Sequence, residues 1–278
     1  MPVADRRQYM DALTGNDPAG SPVAANARTT ENGVVTPLTE GVWKTATSWT
    51  YRHTFVDPVN GQIAAFGSIA EGETPAMLGL RLKVVGRKVV ESELLVTRKG
   101  DFRCSNRNGR RSRNRCSRPS CRGAPFHTRE LAAIPKRYFD AIAQGKPELI
   151  DVHPDAVRVE NGFQTTSSVN RSNPSLSNPS ISEGLHRFVY MQRIRQLRTP
   201  IIDTTHGLVL AIGAVDMPKM DKTIMVRGKP VEITSAGHNL PRTLLVFELF
   251  KVENGLVMDI EAVMRNGELG ADMGWPSP

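Results

Sequence analysis

Apolar and polar positions alternate along this chain in two distinct periods. Apolar residues at helical spacing over Val3–Leu13 and Leu131–Ala143 predict two helices. Period-two alternation predicts strands over Tyr51–Val56 and Gln62–Ala70, joined by the turn Asp57-Pro-Val-Asn-Gly61. The same pattern predicts Met77–Val85 with Val89–Thr97, and Thr243–Val252 with Leu256–Met264. Their turns, Val85-Gly86-Arg87 and Glu253-Asn254-Gly255, carry hairpin residues. Further helices are expected over Gly41–Trp49 and Glu183–Gln196, and a short strand before each Glu-Asn-Gly turn. Helices at the front of runs of strands predict an α+β fold, a curved antiparallel sheet wrapped by helices.

The elements recur because the chain repeats itself. At an offset of 129, Tyr9, Asp11 and Ala12 match Tyr138, Asp140 and Ala141, and Glu31-Asn32-Gly33 matches Glu160-Asn161-Gly162. Asp57 and Gly61 match Asp203 and Gly207 at 146; Lys83-Val84 and Glu93 match Lys251-Val252 and Glu261 at 168. The order is kept while the offset grows, so the second copy carries about 17 and then about 22 extra residues. A tandem duplication follows: residues 1–100 form the first repeat and 128–278 the second, with 101–127 as linker.

Charge changes this picture in one place. The net charge of +8 would suggest nucleic acid or a membrane surface. Eight arginines, however, lie between Arg103 and Arg122, with no acid among them. Removing these eight from the 36 basic residues leaves 28 against 28 acidic ones. Cys104, Cys116 and Cys121 sit in the same stretch. A zinc site there would need a fourth ligand such as His127, and the cysteine gaps fit no standard pattern. An arginine-rich nucleic-acid arm is a second reading. The favoured one is an inserted, disordered linker or a local error in the deduced sequence, which leaves nucleic acid without a role. No apolar run is long enough to span a membrane and no secretory signal opens the chain, so a cytoplasmic protein is expected.

The Tyr-x-Asp-Ala helix, the Arg-x-x-Glu-Asn-Gly strand, Gly41-Val42-Trp43-Lys44-Thr45 and the Lys-Val-x-x-Gly-x-Val-x-x-x-Glu hairpin resemble the SnoaL-like proteins. These belong to the cone-shaped α+β barrel superfamily named for nuclear transport factor two. The resemblance covers about residues 4–100 and 128–266 and implies a two-copy member. It implies a deep apolar pocket in each cone, and chemistry without cofactor: isomerases, cyclases, dehydratases and lyases, some similar to bacterial diarylpropane lyases, beside plain binding proteins. A small apolar or aromatic substrate and a homodimer are expected from it.

No Walker loop, GxGxxG, HExxH or GxSxG occurs, so nucleotide, nicotinamide and zinc-hydrolase readings lack support. The histidines have no metal-ligand spacing, and no metal is expected. General acid–base chemistry remains, needing one or two titratable groups in a dry pocket. Along Thr243–Val252, Glu248 shares a face with Leu244, Val246, Phe250 and Val252, where the first copy has Leu80 among leucines. A carboxylate there is expected to be buried, with a raised pKa, as catalytic acid or base. On the Glu183–Gln196 helix, His186, Tyr190 and Arg193 would form one line, His186 and Tyr190 orienting a substrate hydroxyl and Arg193 binding it. Tyr51 and His53 share a strand face with Phe55 and are further substrate-binding candidates. Trp43 is a core residue or a pocket wall. The inserts 170–182 and 216–241 are expected to be loops, with lids as their role, which places the working pocket in the second copy. A lyase, dehydratase or isomerase of an aromatic, lignin-dimer- or polyketide-like alcohol is the leading expectation; a non-catalytic binding or assembly module is the alternative.

Overall fold

The computed structural model of the protein describes residues 2–101, 127–167, 179–219, 223–226, 228–232 and 240–276. The arginine- and cysteine-rich segment Arg103–Arg122, with its zinc and nucleic-acid readings, lies outside the described residues, as does most of the 170–182 insert.

Two helices open the two halves, α1 (Pro2–Thr14) and α3 (Thr128–Gln144), as the apolar spacing predicts. A capping box between His127 and Glu130 starts α3. Gly145, at φ 61°, stops it in the left-handed conformation that glycine adopts without strain.

The first half continues through β1 (Val23–Glu31), β2 (Val34–Val35), α2 (Val42–Thr45), β3 (Ala46–Asp57), β4 (Gln62–Glu71), β5 (Thr74–Val85) and β6 (Lys88–Thr97). The second has β7 (Val152–Glu160), β8 (Phe163–Gln164), α4 (Ile181–Gly184), β9 (Arg193–Asp203), β10 (Leu208–Met217), β13 (Arg242–Glu253) and β14 (Leu256–Glu268). Its sheet order, β8-β7-β14-β13-β10-β9, repeats that of the first, β2-β1-β6-β5-β4-β3. The fold is a tandem duplication of an α+β cone. Each sheet is mixed rather than wholly antiparallel, because β1 joins β6, and β7 joins β14, in parallel. That pairing follows from the chain path: α1 and α3 deliver the chain to the outer edge of the hairpin strand instead of turning tightly back.

Register makes the duplication residue-specific. Leu80 lies between Ala65 and Leu94, and Glu248 between Ala211 and Ala262, at the offsets of the sequence repeat. The recurring Glu-Asn-Gly has a local cause. Asn32 (φ 54°) and Asn161 (φ 46°) make the left-handed step out of β1 and β7 that asparagine tolerates best among branched polar residues. Each then latches its side chain to the next strand: Val96 N donates to Asn32 Oδ1, and Met264 N to Asn161 Oδ1.

Two expected helices are much shorter than their patterns. Only Val42–Thr45 is helical in the first copy, and β3 starts at Ala46. In the second, α4 gives way to a 3₁₀ turn at Leu185–Phe188, and β9 begins at Arg193. These strands close their sheets against β4 and β10, so backbone pairing overrides a weak helical period. The 216–241 insert is not only loop: β11 (Thr223–Val226) and β12 (Lys229–Glu232) form a small exposed hairpin around Gly228.

Alternation along each strand sends its two faces to two cores. Leu78, Leu80 and Leu82 face α1 with Tyr9, Leu13 and Trp43. Leu244, Val246 and Phe250 face α3 with Tyr138 and Ile142. The other faces meet each other: Phe55, Phe66, Met77 and Leu95 of the first sheet pack with Ile212, Leu245, Phe247 and Leu249 of the second. Contact is close enough that a Cβ on Gly79 would lie 3.0 Å from the Phe247 ring. The chain end ties this arrangement across the first sheet, with Met273 fully buried and Trp275 Nε1 donating to Thr30 Oγ1 at 2.9 Å. No helix among the described residues is long and apolar enough to cross a membrane.

Candidate functional site

A cavity of about 20 Å³, the space of a single water molecule, lies inside the second cone. Strands β7, β13 and β14 present Arg158, Glu160, Glu248 and Met264 to it, and α3 presents Tyr138, Phe139 and Ile142. Phe188 and Met191, from the turn between α4 and β9, complete the wall.

Glu248 is 3% exposed and sits on the inner face of β13, as the alternation predicts. Among the described residues no hydrogen bond or salt bridge reaches its carboxylate. Burial pushes its pKa up to about 8; the Arg158 guanidinium opposes the rise, and the Glu160 carboxylate adds to it. At neutral pH Glu248 therefore carries a proton that it can donate.

Arg158 is the nearby cation, and sequence reasoning passed over it. Its Nε lies 3.0 Å from Glu160 Oε1, its Nη1 donates to the Tyr138 hydroxyl at 2.9 Å, and its guanidinium stacks under Phe188 at 4.9 Å. The signal was present in the repeat. Arginine precedes Glu-Asn-Gly by three residues in the first copy (Arg28) and by two in the second (Arg158). A one-residue shift on a strand moves a side chain to the opposite face. Arg28 is accordingly exposed over the Trp275 ring, whereas Arg158 is buried among the cavity groups.

The other expected site residues scatter. Tyr190 is half-buried against the second core, 6.1 Å from the Phe188 ring, and burial raises its pKa, with Glu160 adding to the effect. The His186 side chain lies outside the described residues. Arg193 is exposed at the start of β9, opposite Asp216. The helix expected to align His186, Tyr190 and Arg193 does not form: the segment is a 3₁₀ turn followed by a strand. Trp43 is core, packed edge-on to Tyr9 at 5.1 Å.

Tyr51 and His53 are buried on the face of β3 that looks away from the cones' interiors, the face that carries Phe55 into the inter-sheet core. His53 Nδ1 meets Glu261 Oε2 of the second cone at 2.7 Å. In the reciprocal position Arg198 holds Glu93 of the first cone at 2.6 Å. Register makes the two pairs equivalent: His53 lies opposite Phe66 and Arg198 opposite Ile212, one repeat apart. His53 joins the cones and does not line the cavity.

A family model described as "Domain of unknown function (DUF8021)" matches residues 3–103 and 127–264. No curated protein matches the chain. Among solved structures, a candidate polyketide cyclase from Xanthomonas campestris pv. campestris is 12% identical, with 49% of this chain and 90% of that one covered and a TM-score of 0.32. A candidate isomerase from Rhodopseudomonas palustris is 11% identical, covering 51% and 91%, with a TM-score of 0.30. An NTF2-like protein from Cytophaga hutchinsonii is 13% identical, covering 50% and 98%, at 0.29.

Proposed function

This chain belongs to the DUF8021 family, and we propose that its second cone is a small-molecule site in which Glu248 moves a proton on the bound ligand. In this reading the protein is a cofactor-independent lyase, dehydratase or isomerase of an aromatic, lignin-dimer- or polyketide-like alcohol. The observation that carries it is a buried carboxylate without a hydrogen-bond partner among the described residues, its pKa pushed up to about 8 by burial, beside a guanidinium on the wall of a cavity. A group poised near the working pH loses and regains a proton at little cost, as general acid–base catalysis requires. Removing a hydroxyl as water needs such a donor; shifting a proton along a carbon skeleton needs the same group twice. His186 and Tyr190 remain candidates to orient the ligand from the turn that closes the cavity.

The small cavity favours a second reading, a binding or assembly module without turnover. A diaryl substrate has to displace Phe188 and Met191 to enter. The outer sheet faces are already spent on each other within the chain, so a homodimer would form through other surfaces.

Glu248→Gln separates the readings, since it keeps the size and cannot transfer a proton. Turnover of diaryl and polyketide alcohols by the metal-free protein should fall by about 100-fold or more, with ligand affinity little changed. In the wild type, a step that uses the Glu248 proton should fade as pH rises through about 8. Full activity in the Gln variant would discard the catalytic assignment. Absence of turnover by the wild type, with binding retained, would favour the module.

A further inference from the structure

Tyr9 and Tyr138 occupy equivalent places in the two cones, on α1 and α3, and both are almost wholly buried. Their hydroxyls have different partners. Tyr9 shares a 2.6 Å hydrogen bond with Ser92 of β6. One repeat later, β14 has Ile260 at the Ser92 position, which offers no acceptor. The Tyr138 oxygen instead accepts from Arg158 Nη1, and among the described residues nothing accepts the Tyr138 hydrogen. A buried hydroxyl donor without an acceptor is destabilising, so a retained one points to a ligand that supplies the acceptor. Tyr138 and Glu248 line the same cavity, and no hydrogen bond joins them.

We propose that Tyr138 is a ligand-binding residue of this cavity, donating its hydroxyl hydrogen to an acceptor oxygen of carbonyl type on the molecule that Glu248 acts on. The inference rests on the small-molecule reading of the second cone and adds, to the alcohol of that reading, a carbonyl-type oxygen on the same molecule as the group that this wall selects. Arg158 fixes the hydroxyl by occupying its lone pair and polarises it toward donation. Glu248, protonated at neutral pH, is a second donor on the same wall. A carbonyl oxygen can accept from both, whereas an alcohol must turn its own hydrogen away. Glu160, the adjacent acceptor, is already held by Arg158.

The test uses Phe188→Ala, which opens a ring-sized space beside the cavity, with acetophenone, 1-phenylethanol and ethylbenzene as probes by titration calorimetry at pH 7. Acetophenone should bind about tenfold or more tighter than ethylbenzene, with 1-phenylethanol between them. Adding Tyr138→Phe should bring all three within about twofold while ethylbenzene still binds, which reports an intact fold. Adding Tyr9→Phe instead should leave the preference untouched. Equal affinities in Phe188→Ala, an alcohol that binds tighter than the ketone, or a ketone preference that survives Tyr138→Phe would each overturn the inference and leave the Glu248 reading standing. Binding of none of the probes would overturn the small-molecule reading and this inference with it.

Discussion

The first cone has Leu80, Thr29, Ser92 and Arg98 where the second has Glu248, Arg158, Ile260 and Asn266. Between the two, charge has moved from the rim to the interior. In the first cone, Glu31 and Glu71 hold Arg98, a third exposed, and Glu31 also receives Val42 N at the start of α2. In the second, the equivalent Glu160 turns to Arg158, which is 4% exposed. On the inner wall of the first cone Trp43 packs edge-on to Tyr9, and that of the second keeps a cavity with an acid in it. At fixed register, a few exchanges thus separate an apolar inner wall from one that carries a buried acid beside a cavity. The difference is one of compensation: near the buried acid of the second cone, Arg158 opposes the rise that burial imposes on its pKa.

The largest effect should come from writing the second cone's acid into the first. Leu80→Glu buries a carboxylate among leucines with Thr29, not arginine, behind it, and should cost roughly 3–5 kcal/mol in denaturant unfolding. A cost below about 1 kcal/mol would mean that the two interiors are less different than their residues.

Arg158→Met removes the compensation from the second cone. It should destabilise by about 3 kcal/mol, since Glu160 and Tyr138 lose their partner. It should also raise the Glu248 pKa further, because Arg158 is the group opposing the rise. Following the carboxyl by carbon NMR across pH tests the direction; a fall would show that another cation governs it.

The same carboxyl makes stability pH-dependent. Its folded pKa of about 8 exceeds the ordinary value of 4.5, so the native state holds the proton more tightly than the unfolded one. The stability linked to it is fully present below about 4.5 and is lost as pH rises to about 8. Relative to Glu248→Gln, the wild type should lose a few kcal/mol, on the order expected for such a shift, between pH 4.5 and pH 9. Parallel stability curves for the two proteins would show Glu248 ionised throughout.

Tyr9→Phe deletes a neutral hydrogen bond to Ser92 and should cost about 1 kcal/mol with no effect on ligand binding. Smallest of all should be replacement of Arg103–Arg122 by a short Gly/Ser linker, for which an unchanged melting temperature is expected. A drop of several degrees, or loss of bound zinc, would assign that segment a structural part.

Much of this was legible in the chain itself. Period-two alternation placed Glu248 on the inner face, and the repeat offsets paired it with Leu80, because strand register preserves sequence spacing. The two opening helices, the hairpins and the Glu-Asn-Gly turns were legible for the same reason: their determinants are local. What lay beyond reach was non-local. Arg158 and Tyr138 line the cavity beside Glu248 only because a strand and a helix distant in sequence converge on β13. Tyr51 and His53 had the right face for their strand, and the sequence could not say whether that face met a ligand or the other cone. The helix through His186, Tyr190 and Arg193 fell to sheet pairing, an energy that no window of sequence contains. Sequence alone therefore determined the duplication, the faces of the strands and the buried acid. Tertiary packing decided which groups meet that acid, since alternation specifies a direction for each side chain and only assembly supplies what lies there.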